Sequence, residues 1–83
     1  MYRISISPKA KKQLKSLKKI HKDAVGSVFE ELKEDPKTGK PLTRELSRKY
    51  SYKVGTFRII YTIKDIDKIV QILSIGHRST VYQ

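Results

Sequence analysis

Apolar and polar side chains alternate over the first residues of the chain, from Tyr2 to Ser7. A period of two is typical of a strand with one buried face. Similar patterns occupy three later segments, residues 49–54, 57–64 and 68–76. The sequence therefore predicts one strand near the N-terminus and three strands in the second half of the chain.

The segment between the first strand and the three later strands has apolar residues at helical spacing. Ser7 suits the N-cap of a first helix, and Pro8 fits its first turn. A second helix is predicted to begin at Asp23, with His21 in the short link between the two. The two apolar stripes consist of Ala10, Leu14, Leu17 and Ile20, and of Ala24, Val25, Val28, Phe29 and Leu32. The stretch EDPKTGKP, with two prolines and a glycine, ends the second helix.

The order of these elements is β-α-α-β-β-β, which predicts an α+β fold. We expect a single domain, residues 1–83, in which two N-terminal helices pack on a mostly antiparallel four-stranded sheet. The chain has no cysteine, so disulfides and thiolate metal sites are excluded.

A tight turn sets the register of the two central strands. Gly55 and Thr56 suit a two-residue hairpin turn, which pairs Val54 with Phe57 and Lys53 with Arg58. The core face then carries Tyr50, Tyr52, Val54, Phe57, Ile59, Tyr61 and Ile63. Lys53 and Arg58 share the opposite face. Like charges that are directly paired cost stability, unless an acidic group or a bound phosphate neutralises them.

The last turn is predicted to be centred near Ile66. This alignment places Phe57 opposite Ile75 and Ile59 opposite Leu73 on the core face. The other face is left with an apolar patch, made of Ile60, Val70 and Ile72. An uncovered patch of this kind marks a partner site. The alternative is that the C-terminal tail or the first strand covers it.

The charge of the chain is strongly positive, +11, with 19 Lys and Arg against eight Asp and Glu. A net charge of this size bears on binding partners rather than on the fold, and it indicates a polyanion such as RNA, DNA or the ribosome. The predicted RNA- or ribosome-binding lysines are Lys11, Lys12, Lys15, Lys18, Lys19 and Lys49. The alternative is that these lysines are only solvated. No apolar run reaches the length of a membrane span, so we expect a cytoplasmic protein without a membrane partner.

Candidate chemistry concentrates at one end of the predicted sheet. Lys53, Arg58 and Arg78 converge there, and His77 and Tyr82 lie on the segment that leaves the last strand. Arginine binds phosphate through a planar fork, and histidine can act as an acid or a base near neutral pH. Few acids and two distant histidines argue against a metal nuclease.

The stretches YRISISPKAKKQLKSL, ELKEDPKTGKPL, KVGTFRIIYTI and ILSIGHRSTVY, in this order, resemble the RelE/ParE toxin superfamily, nearer to RelE than to ParE. The resemblance implies a toxin of a toxin–antitoxin pair that cleaves mRNA in the ribosomal A site. It further implies a metal-free reaction that needs no cofactor, and an acidic, RelB-like antitoxin as partner. The patch at Ile60, Val70 and Ile72 is the expected antitoxin contact.

The resemblance also implies roles for single residues. Arg58 matches an arginine that contacts the scissile phosphate, and Arg78 one that stabilises developing charge. Tyr82 matches a tyrosine that positions or stacks on a base, and Lys53 matches a strand lysine. His77 replaces a lysine and is either an acid or base or a cap of the strand end. A second strand lysine of RelE falls on Ser51 in this chain, and Lys49 is the candidate replacement.

Two other functions stay open. The first is a ParE-like inhibitor of DNA gyrase on the same fold, which needs no catalytic cluster at this end of the sheet. The second is a module that binds RNA or ribosomes without catalysis.

Overall fold

The computed structural model describes residues 1–41 and 49–77. Within these ranges the elements, in chain order, are strand β1 (Arg3–Ile6), helix α1 (Pro8–Lys15), helix α2 (Lys19–Glu34), a 3₁₀ turn (Pro36–Thr38) and strands β2 (Lys40–Pro41), β3 (Lys49–Val54), β4 (Phe57–Lys64) and β5 (Ile69–His77).

The strands form one sheet of five in the order β1-β5-β4-β3-β2. Strand β1 runs parallel to β5, and the other neighbours are antiparallel. The α+β class and the mostly antiparallel sheet are confirmed, but the predicted number of four strands is wrong. The additional strand is β2, whose two residues, Lys40 and Pro41, are too few to show an alternating pattern.

Helix α1 begins as predicted, with the Ala10 amide donating a hydrogen bond of 3.0 Å to the Ser7 hydroxyl. The helix ends early, because the Ser16 backbone N–H and hydroxyl both donate to the Gln13 carbonyl. Helix α2 then begins at Lys19, four residues before the predicted start. As a result His21 is helical, and Ile20 is 71% exposed rather than part of a buried stripe. Apolar spacing alone cannot distinguish one helix that continues from two that meet at a turn.

The core lies between the helices and one face of the sheet. Its buried members are Ala10, Val25, Val28, Phe29, Leu32, Ile59, Tyr61, Val70, Ile72 and Ile75. Full burial of an aliphatic or aromatic side chain contributes about 1.5–3 kcal/mol relative to an exposed one. The helix-packed face of the sheet therefore carries most of the hydrophobic stabilisation.

The predicted hairpin between β3 and β4 is confirmed. Val54 pairs with Phe57 and Lys53 pairs with Arg58. Gly55 has a φ of +59°, in the left-handed region that glycine adopts without strain.

The predicted register between β4 and β5 is wrong in two respects. Phe57 pairs with His77 rather than with Ile75. A β-bulge follows, because the partners of Ile60 and Tyr61 are Ser74 and Ile72, which leaves one extra residue in β5 between them. The bulge reverses which side chains of β5 face the core from that point onward.

This reversal corrects the prediction of an exposed apolar patch. Val70 and Ile72 point to the core face and are 0% exposed. Ile60 lies on the opposite face, as predicted, but it is only 7% exposed. The three side chains do not form a surface patch and are not available to an antitoxin in this structure.

Candidate active site

Arg58 lies on the sheet face that points away from the helices. Its direct partners are Lys53 on β3 and Gly76 on β5. Gly76 contributes no side chain on that flank of Arg58. Arg58 Nη1 donates a long hydrogen bond of 3.5 Å to Ser51 Oγ, and Ser51 is 4% exposed. The predicted meeting of Lys53 and Arg58 on one face is confirmed as geometry.

An open groove of about 480 Å³ adjoins this pair at the edge of the sheet. Its walls come from α2, from the segment after the 3₁₀ turn, and from β3 and β4; the lining residues are Glu31, Thr38, Gly39, Lys40, Ser51, Tyr52, Lys53 and Arg58. We refer to it as the edge groove. Among the lining residues that the structure describes, three side chains are cations and one is a carboxylate, so this part of the groove is suited to an anionic ligand.

The carboxylate of the edge groove is engaged within the protein. The Tyr52 hydroxyl donates a hydrogen bond of 2.8 Å to Glu31 Oε2. This bond, with smaller contributions from desolvation and the charge of Glu31, raises the pKa of Tyr52 above its usual 10.0. Tyr52 therefore stays a protonated donor at neutral pH.

Lys40 is a groove residue that the sequence did not reveal. It pairs directly with Ser51, so its side chain lies on the same sheet face as Lys53 and Arg58. From the sequence, the stretch EDPKTGKP predicts only the end of a helix. No pattern in a two-residue strand could have indicated its direction.

Tyr61, from the core side of the sheet, holds the backbone that precedes Lys40. The Tyr61 hydroxyl donates to the Pro36 carbonyl at 2.7 Å and accepts from the Gly39 amide at 3.1 Å. Burial raises the pKa of Tyr61 to about 12. A Cβ at Gly39 would overlap that hydroxyl, so the close approach requires glycine.

His77 lies on the other face of the sheet from Arg58. It pairs with Phe57, and the two rings meet edge to face with centroids 6.0 Å apart. His21, from the first turn of α2, contacts the same phenyl ring at 4.8 Å. The sequence predicts His77 near Lys53 and Arg58. The structure instead places it on the opposite face of the sheet.

The remaining predicted site residues fall into three groups. Arg78 and Tyr82 lie outside the described residues. Lys49 is exposed and shares the face of Arg58, since it continues the alternation of Ser51 and Lys53. The predicted binding lysines of α1 and of the start of α2 are exposed but do not line the edge groove; they are Lys11, Lys12, Lys15, Lys18 and Lys19.

Residues 1–41 and 49–77 contain no group of three His, Asp or Glu side chains that could hold a metal ion. Over the same residues, no helix is long and apolar enough to cross a membrane.

Comparisons with known sequences place the chain in a family. The family model for the "ParE toxin of type II toxin-antitoxin system, parDE" matches residues 4–82. Toxin RelG of Mycobacterium tuberculosis is 34% identical over 84 residues, covering 99% of this chain and 97% of that protein. Toxin RelE of the same organism is also 34% identical, over 99% of this chain and 87% of its own length.

Solved structures agree with these relatives. The toxin–antitoxin complex RelBE2 from M. tuberculosis contains a chain with a TM-score of 0.84 at 34% identity, covering 93% of this chain and 98% of that one. The isolated E. coli RelE toxin gives a TM-score of 0.83 at 23% identity, over 99% and 92% of the two chains, which supports the fold. The resemblance read from the sequence is thus confirmed, and the chain belongs to the RelE/ParE family of type II toxin–antitoxin toxins.

Proposed function

We propose that this toxin is an endoribonuclease that cleaves mRNA in the ribosomal A site and so inhibits translation. The observation that carries the proposal is the pairing of Lys53 with Arg58 beside the open edge groove. Two cations held side by side on neighbouring strands cost stability. An RNA phosphate placed between them offsets that cost, because it accepts charge-assisted hydrogen bonds from both.

The proposed reaction is attack of the RNA 2′-OH on the adjacent 3′-phosphate, which forms the O2′–P bond and breaks the P–O5′ bond. The products are a 2′,3′-cyclic phosphate and a 5′-OH, whose oxygen takes a proton from a protonated side chain or from water. Negative charge builds up on the phosphoryl oxygens in the transition state. We assign Arg58 to bind these oxygens through two N–H groups, with Lys53, its partner on β3, adding a second charge. Arg78 is assigned to the same developing charge, and Tyr82 to positioning a base.

The proton of the attacking 2′-OH needs an acceptor on the face of Arg58. His77, Tyr82 and a lysine were the candidates from the sequence. His77 contacts Phe57 on the other face of the sheet, so we assign the acceptor role to the deprotonated form of Tyr82 or of a lysine. If that lysine is Lys53, the positive charge at the scissile phosphate comes from the arginines alone. The basic lysines of α1 and Lys49 are assigned to binding ribosomal RNA, because they are exposed and suited to contact with phosphates.

The deciding experiment is primer extension on a defined mRNA, incubated with the purified toxin in the presence and absence of programmed ribosomes. We expect cleavage within A-site codons only when ribosomes are present, and loss of cleavage in Arg58→Ala. Cleavage of free RNA would keep the active site but remove the ribosome from the mechanism. No cleavage in either mixture, from folded protein, would reject the nuclease proposal.

We further propose an acidic antitoxin as the partner in the cell. Two observations support it: the net charge of +11 and the presence of a toxin–antitoxin complex among the similar structures. The expected result is growth arrest on expression of the toxin alone, relieved by co-expression of a small acidic protein encoded beside it. Arrest that no neighbouring gene relieves would contradict the proposal.

A second function is favoured by one observation, the match to a family model described for ParE. In that case the protein would inhibit DNA gyrase. Supercoiling by purified gyrase, measured with and without the toxin, separates the two functions. Inhibition of supercoiling by both wild type and Arg58→Ala, without mRNA cleavage, would favour the gyrase target.

A further inference from the structure

We propose that Lys40 binds an RNA phosphate adjacent to the scissile one, and that the Tyr61 hydroxyl positions it to do so. The proposal rests on the endoribonuclease function proposed above and adds a second phosphate site to it. The ligand is the sugar–phosphate backbone of single-stranded RNA that lies along the edge groove.

The register of the sheet places Lys40 in the groove. Lys40 pairs with Ser51, and Ser51 pairs with Ile60 on β4. The three side chains therefore lie in one row across the outer face. Lys53 and Arg58 form the next row on that face, two residues further along β3.

The separation of these rows suits two phosphates rather than one. Two strand spacings separate the backbones of Lys40 and Arg58, roughly 10 Å, and two residues along a strand add an offset of roughly 7 Å. This separation favours different phosphate groups as the ligands of the two side chains. Both nevertheless line the same groove, so one RNA strand can contact both.

The charges that surround Lys40 are consistent with this role. Within residues 1–41 and 49–77, the other charged side chains that line the groove are Lys53, Arg58 and Glu31, and the Glu31 carboxylate accepts a hydrogen bond from Tyr52. Of these described side chains, with Lys40 included, three are cations and one is a carboxylate. An anionic backbone that enters the groove meets a positively charged surface from Lys40 to Arg58.

The direction of Lys40 is set by contacts of the preceding residues. Tyr61, from the core side of the sheet, holds the Pro36 carbonyl and the Gly39 amide with one hydroxyl. Gly39 immediately precedes Lys40, so the hydrogen bond fixes where β2 starts. The next residue, Pro41, lacks an N–H and has a restricted φ, which further limits the freedom of this short strand.

Lys37 offers a matched control within the same connection. It is exposed and lies in the 3₁₀ turn, three residues before Lys40. Its backbone amide donates to Asp35, and its side chain does not line the edge groove. Replacing Lys37 removes the same charge from the protein without changing the groove.

The test compares Lys40→Met, Lys40→Arg and Lys37→Met with wild type. Cleavage is measured as kcat/KM in the ribosome assay, and binding by the anisotropy of a labelled oligoribonucleotide blocked with 2′-O-methyl groups. We expect Lys40→Met to lower kcat/KM on the order of tenfold or more. The slope of log affinity against log salt should also fall by about one. Lys40→Arg should retain most of the kcat/KM and of the salt slope. Lys37→Met should keep a kcat/KM within about twofold of wild type.

The positioning role of Tyr61 is tested by a double-mutant cycle. Tyr61→Phe should lower kcat/KM in the wild-type background and have little further effect in Lys40→Met, because its action passes through Lys40. Equal losses in both backgrounds would show a general structural role instead and overturn the positioning role.

The outcomes separate this inference from the proposed function. If wild type cleaves mRNA and Lys40→Met behaves like Lys37→Met, the role of Lys40 is overturned while the nuclease stands. If wild type does not cleave, the nuclease proposal fails. The blocked RNA then still decides whether Lys40 binds phosphate, since that measurement needs no catalysis.

Discussion

The two faces of β3 and β4 differ although they are built from alternate residues of the same strands. The face toward the helices buries Ile59 and Tyr61, which are 0% exposed. The opposite face presents Lys53 and Arg58 beside an open groove. Neighbouring positions such as 58 and 59 therefore have different tasks, one in ligand binding and the other in stability. Substitutions at adjacent residues should separate the two tasks.

The largest effect on activity is expected at the open face. Arg58→Ala should lower mRNA cleavage by about 10²–10³-fold, because it removes donors aimed at developing negative charge. The melting temperature should fall far less than for a core substitution, since the Arg58 side chain is not part of the buried core. Cleavage is measured by primer extension and stability by thermal unfolding. A loss of activity explained by unfolding would remove Arg58 from the site.

The reverse pattern is expected one residue further on. Ile59→Ala should lower the free energy of unfolding by about 2–5 kcal/mol, because it leaves a cavity in the core. The protein that remains folded should cleave mRNA at a rate close to wild type. Denaturant titration gives the free energy, and activity is measured at a temperature well below the transition. An Ile59→Ala protein of normal stability would contradict the assignment of this face to the core.

A third substitution tests the backbone segment before Lys40, which the Tyr61 hydroxyl holds from the core side of the sheet. Gly39→Ala should destabilise the protein by about 1–3 kcal/mol, because the added methyl displaces the Tyr61 hydroxyl from one of its buried partners. Gly26→Ala is the control, since a Cβ at Gly26 meets no atom within 4 Å. Thermal unfolding of the two variants measures the difference. Equal stability of both variants would show that the connection moves without cost.

The pH dependence of stability reports on the same hydroxyl. The pKa of Tyr61 is about 12 in the folded protein, against 10.0 for an ordinary tyrosine. The unfolded chain therefore loses this proton first as the pH rises. The stabilisation is complete below pH 10 and decreases between about pH 10 and 12. Comparison of wild type with Tyr61→Phe across this range should show a shallower decline in the variant, and parallel curves would refute the contribution of Tyr61.

The smallest effect on cleavage is expected for His77→Ala. His77 stands on the helix-packed side of the sheet, against Phe57. Its loss should change kcat/KM by less than about threefold and should leave the pH profile of cleavage unchanged. A loss as large as that of Arg58→Ala would mean that His77 reaches the RNA in the ribosome complex, and the comparison of the two faces would then need revision.

Much of the site was predictable because it depends on local rules. The GT turn determines which residues of β3 and β4 face each other, so Lys53 opposite Arg58 followed directly from the sequence. The position of Lys40 could not be predicted from the sequence, because a strand of two residues carries no periodic signal. His77 is predicted to lie on the segment that leaves the last strand, whereas β5 continues to His77 and pairs it with Phe57 on the helix-packed face.

The sequence by itself determined the class of the fold, the segments that form β3, β4 and β5, the tight hairpin and the pairing of the two cations. These features follow from the period of apolar residues, from Gly55 and from the charge of the chain. The tertiary structure decided the fifth strand, the start of α2 and the direction of the side chains of β5. The physical reason for the last of these is the bulge between β4 and β5. One extra residue reverses the alternation, and the burial of Val70 and Ile72 against the helices selects that arrangement over a regular ladder.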